Sequence, residues 1–88
     1  MIKISEISKT LYEVTVNNDG ESKHLVTLTE KDYKNISGKK VNQIELIEAS
    51  FIFLMERESN QSILREFNIT IIQKYFPEYT SVIQSYFK

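Results

Sequence analysis

Between Leu11 and Thr29 apolar and polar side chains alternate, with Tyr12, Val14 and Val16 before a polar turn and His24, Val26 and Leu28 after it. A period of two is that of a half-buried strand, so this stretch predicts a β-hairpin. The turn Asn17-Asn18-Asp19-Gly20-Glu21 can close it in two ways. A two-residue Asp19-Gly20 loop sets Val14 against Leu25 and mixes the two faces. A three-residue loop Asn18-Asp19-Gly20 pairs Val14 with His24, Tyr12 with Val26 and Thr10 with Leu28, which keeps the apolar set together and puts Gly20 in the left-handed position. Ile2, Ile4 and Ile7 extend the first strand, with a bend near Ser5 to Ser8. A hairpin alone is marginal in water and needs a helical layer over one face.

At Thr29 the pattern changes. Thr29 as cap, an acidic first turn and Gly38 as exit predict a short helix near Glu30 to Ile36. Asn42 and Glu45 stand at capping-box spacing, with Val41 placed to staple against Leu46, and open a second helix through Met55. Its first half is amphipathic through Ile44, Ile47 and Phe51, whereas Ala49 to Met55 carries no charge. A helix apolar all round must be covered on several sides, so it is expected at the centre of the molecule. The competing reading makes Ser50 to Met55 a buried strand, on its β-branched and aromatic content. Ser59 or Ser62 then caps a short helix that ends at Phe67 and points Ile63, Leu64 and Phe67 inward. Thr70 caps the next, with Ile72, Tyr75 and Phe76 on one stripe. Pro77 kinks or breaks that helix, and the stripe continues through Tyr79, Val82, Ile83, Tyr86 and Phe87. The expected fold class is α+β: an N-terminal antiparallel β-hairpin packed on a small helical bundle, made of a central buried helix and C-terminal helices bent at Pro77. One domain spans residues 1–88, with 1–29 as the hairpin layer and 30–88 as the helical layer.

Composition narrows the chemistry. The 88 residues are 41% hydrophobic and 26% charged, as in ordinary globular proteins, and leave room for one core. Eleven basic against twelve acidic side chains give a net charge of −1, and no segment is a basic arm or an acidic tail. Nucleic acid is therefore not the default partner. There is no cysteine, no uninterrupted apolar leader and no apolar run long enough to cross a bilayer. These features point to a cytoplasmic protein without membrane contact.

Catalytic and ligand motifs are equally sparse. His24, the one histidine, faces a valine in register, without an acidic neighbour, and reads as a cross-strand packing or rim residue rather than a base. Glu45 and Glu48 share a helix face but have no histidine or second pair to complete a metal site. The two glycines, Gly20 and Gly38, lie in separate turns, so no phosphate loop exists, and "SGKK" at Ser37 to Lys40 is an exposed turn. Neither a catalytic site nor a cofactor is expected.

Two features remain. Aromatic side chains crowd the chain end, and Tyr75, Tyr79, Tyr86 and Phe87 are the candidates for an interaction surface. Ser62 to Phe76 has the outline of a helix-turn-helix, with Arg65, Gln73 and Lys74 as its nucleic-acid contacts. One lysine and one arginine are too few to neutralise several phosphates, and the apolar stripe running past Pro77 indicates a face that packs inward.

The pattern Ala49-Ser50-Phe51, Phe53-Leu54, Arg57-Glu58, Ser62-Ile63-Leu64, Phe67 and Tyr75 to Tyr79 resembles a group of small uncharacterised bacterial proteins. The resemblance covers roughly the last half of the chain. It implies a bacterial source and brings no activity, cofactor or binding residue with it. The expectation is a non-catalytic protein that acts through contacts with another protein or with itself as a homodimer. The alternative is a nucleic-acid-binding regulator that uses Ser62 to Phe76.

Overall fold

The computed structural model describes residues 1–18 and 20–87. Four strands form one sheet in the order β1-β2-β3-β4, and helices cover one of its faces, a mixed α+β architecture. Strands β2 (Leu11–Asn17) and β3 (Glu21–Thr27) are the predicted hairpin, antiparallel with Val14 opposite His24 and Tyr12 opposite Val26. Gly20 has φ +82, as the three-residue loop requires; Asp19 within that loop lies outside the described residues. Tyr12, Val14, Val16, His24 and Val26 all point to the covered face.

Residues Ile2–Ser8 do not lengthen the hairpin's first strand but form a separate strand, β1, antiparallel to β2. The chain reverses at Ser8–Thr10 without a glycine, and the Ser8 hydroxyl accepts a hydrogen bond from the Thr10 amide. The register pairs Ile2 with Val16 and Ile4 with Val14, then slips between Glu6 and Ser8. Ile7 falls in that slip and stays 55% exposed, so it does not join the other two isoleucines.

Helix α1 (Glu30–Ser37) begins on the Thr29 hydroxyl, which accepts from the Asp32 amide, and ends on Gly38 at φ +62. Helix α2 (Gln43–Met55) has the full capping box of Asn42 and Glu45. It lies at the centre and packs on α1, β1 and the C-terminal turn. Leu46, Ile47, Ala49, Ser50, Phe51, Phe53 and Leu54 are all buried, and the helix running unbroken to Met55 excludes the strand alternative for Ser50 to Met55. Ile44, expected inward, is 42% exposed in the first turn.

The segment from Ser59 to Phe67 departs most from expectation. Ser59 caps only a 3₁₀ turn at Asn60–Ser62, and the chain then extends into a strand, β4 (Glu66–Asn68), parallel to β3. The Leu25 amide donates to the Arg65 carbonyl at 2.7 Å, and the Ile69 amide to that of Thr27 at 3.0 Å. Glu66-Phe67-Asn68-Ile69 alternates polar and apolar, with Phe67 and Ile69 buried, and this strand period outweighs the capping signal ahead of it. Leu64 consequently points outward. The two-helix motif of the nucleic-acid reading is therefore not formed; the five-residue α3 (Ile71–Tyr75) is the one α-helix between Ser62 and Phe76.

At Pro77 the helix breaks. Phe76 leaves helical geometry with φ −131 and ψ 86, as steric conflict with a following proline ring dictates, and the chain restarts as α4 (Tyr79–Val82) and a 3₁₀ turn at Ile83–Tyr86. Tyr79 and Ile83 point inward on that second piece and close the core.

Candidate functional site

A groove of about 430 Å³ lies beside the β4 edge of the sheet. Its floor is apolar: Leu54 from α2, Ile63 before β4, Phe67 in β4, and Ile71, Ile72 and Phe76 from α3 and its exit. Leu64 and Tyr75, 46% and 64% exposed, also line it. Two large apolar residues are thus held out in water around one concave surface. Polar groups are few. Ser62 and Glu58 complete the lining.

Glu58 lies just past the end of α2, half-buried against this apolar wall, and its carboxylate has no hydrogen bond or ion pair among the described residues. Burial pushes its pKa up from the usual carboxylate range. Neighbouring Arg57 is already engaged. Its guanidinium stacks 3.6 Å over the Phe53 ring, donates to the Phe53 carbonyl at 3.0 Å and pairs with Glu78 at 3.2 Å.

One wall of the groove is set by a buried polar chain. Asn60 Nδ2 donates to the Ser22 hydroxyl at 2.8 Å and to the Gly20 carbonyl at 3.2 Å. Ser22 Oγ lies 2.8 Å from His24 Nε2, and His24 Nδ1 lies 2.8 Å from the Leu64 carbonyl. A carbonyl only accepts, so Nδ1 carries a proton; in the neutral ring that burial favours, Nε2 accepts from Ser22. Burial, followed by the charge of Arg65, lowers the His24 pKa against the opposing pull of the Leu64 carbonyl. The Phe51 ring lies 5.3 Å from the imidazole. This chain fastens the 3₁₀ turn and Leu64 to β3. Ser22 and His24 have the spacing of a nucleophile and its base, but they are only 3% and 1% exposed, and neither lines the groove. Their geometry anchors the wall. The sequence reading of His24 as a packing or rim residue missed Ser22, two positions away on the same strand face, and Asn60, whose partner Ser22 stands 38 residues earlier and leaves no local signal.

The C-terminal aromatic candidates separate. Tyr75 reaches the groove. Tyr79 is fully buried, with its hydroxyl 2.7 Å from that of Ser50. Since Ser50 donates to the Leu46 carbonyl, Tyr79 donates to Ser50. Phe53 gathers this end, edge-on to Phe76, Tyr79 and Tyr86. Tyr86, whose hydroxyl donates to Glu56, and Phe87 are half-buried beside a depression of only about 40 Å³ that also includes Glu45 and Glu48. Tyr79 thus drops out of any interaction surface, and Tyr86 and Phe87 lie apart from Tyr75. Arg65, Gln73 and Lys74 are exposed, but Arg65 precedes a strand while Gln73 and Lys74 belong to α3, so no single recognition helix presents all three.

Among the described residues no group of three His, Asp or Glu side chains could hold a metal ion, and no helix is long and apolar enough to cross a membrane. No protein-family model, curated protein or solved structure matches the chain.

Proposed function

We propose that this protein acts by binding another polypeptide through the groove beside β4. The observation that carries this reading is the pairing of an open apolar groove with Leu64 and Tyr75 left exposed around it. Covering such a surface removes apolar area from water at about 25 cal/mol per Å², and a rigid tyrosine adds contact area at low entropic cost. The chemistry found elsewhere is structural: the buried polar groups satisfy one another. A binding role needs nothing more.

Photo-crosslinking tests it. A benzophenone side chain in place of Tyr75 is expected to capture protein from native cells, and the same group at Lys23 on the open sheet face is not. Equal capture at both positions, or none at position 75, contradicts the assignment. A crosslink to a second copy of the chain, with a dimer in sedimentation equilibrium, makes the contact a homodimer.

A further inference from the structure

β4 is an outer strand of the sheet, and its pairing with β3 uses one side of its backbone only. Arg65 and Ile69 turn their peptide groups to β3, and Phe67, at the same period, does likewise. The amide and carbonyl of Glu66 and the amide of Asn68 therefore point away from the sheet. A strand laid along this edge sends every second side chain toward the helical side, where Phe67 lies and where the groove opens. The other outer strand, β1, offers no equivalent, because α2 packs on it and its register slips at Glu6–Ser8. Glu58 contributes the polar element: a half-buried carboxylate without a cationic partner, on an otherwise apolar wall.

We propose that the groove takes an extended peptide that pairs with β4 as a fifth strand, lowers apolar side chains into the groove at alternate positions, and carries a lysine or arginine that ion-pairs with Glu58. This deepens the protein-binding reading above and rests on it. An unpaired strand edge is satisfied in register only by another extended chain, which selects a peptide over a small amphiphile. A basic side chain restores to Glu58 the interaction that the groove wall withholds, and its aliphatic stem suits the apolar lining. A second copy of this chain is a poorer occupant. The open edge it could offer, its own β4, is only three residues long before the turn into α3, and its groove lining brings a second Glu58 and no basic side chain.

The experiment selects peptides from a displayed library of random dodecapeptides on the intact protein and measures the best binder by fluorescence polarisation. Expected are apolar residues two apart with a lysine or arginine in phase with them. N-methylation at alternate backbone positions abolishes binding, Glu58→Gln weakens it about fivefold or more, and selection on Glu58→Lys shifts the preference to acidic residues. Enriched apolar peptides that lose affinity with Tyr75→Asp but ignore Glu58→Gln, or tolerate N-methylation everywhere, overturn this inference and leave the groove as a binding site. No enrichment, or binding indifferent to Tyr75→Asp, overturns the protein-binding reading as well. A dimer in sedimentation equilibrium that Tyr75→Asp dissociates assigns the groove to a second copy and overturns the peptide.

Discussion

The Tyr79 hydroxyl meets that of Ser50 in a part of the core closed to water, and the phenol pKa is pushed up to about 12 by burial, against the opposing effect of the Ser50 hydrogen bond. Because the folded pKa lies above the unfolded one, the stabilisation is complete below about pH 10. It is lost as pH rises through the folded value, and absorbance titration of Tyr79 will show ionisation coupled to unfolding. Tyr79→Phe removes one hydrogen bond and keeps the ring, so urea denaturation should show a loss of about 1 kcal/mol. His24 works in the opposite direction. Its pKa is lowered, so the neutral form stabilises the fold above the ordinary value near 6.5, and that contribution fades as pH falls below it. Urea midpoints at pH 7.5 and 5.5 will differ in the wild type, and the difference will shrink in His24→Gln, which removes the only histidine. The C-terminal apolar stripe carried Tyr79 but did not decide between core and interaction surface, and its burial corrects its place among the surface candidates. Its partner was not, because a serine inside an apolar helix gives no sequence sign of which distant hydroxyl it will meet.

Among the elements, the helices with strong end signals were readable and the short strand was not. Thr29, Gly38, Asn42 and Glu45 act within three or four residues of where they stand, and the structure uses each as expected. Asn42→Ala should cost about 1 kcal/mol in chemical denaturation, since it leaves the Glu45 amide uncapped. Gly38→Ala should cost about the same, because a side chain at φ +62 is disfavoured. β4 depends instead on a partner forty residues earlier. Its three residues form no strand alone, and β3 supplies the other half of each hydrogen bond. Asn60→Ala tests the fastening of this segment: the loss of the donor to Ser22 should cost about 1–3 kcal/mol, with hydrogen exchange accelerated at Ile63 to Asn68 more than in β2.

For the whole molecule, the surface charge is balanced at −1, so recognition rests on local shape and on single charges such as Glu58. In a gel shift at low salt, no retention of duplex DNA is expected. Retention that weakens with Lys74→Glu would instead revive the nucleic-acid alternative. The sequence by itself determined the α+β class, the hairpin register, the two capped helices and the apolar centre of α2, because periodicity and capping are local physics. Tertiary structure alone decided that Ile2–Ser8 becomes its own strand and that Leu64 faces out. It also split the aromatic cluster. Each of these turns on which distant surface a segment meets. The groove belongs to that second group: its lining comes from α2, β4 and α3, and no stretch of the sequence contains its shape.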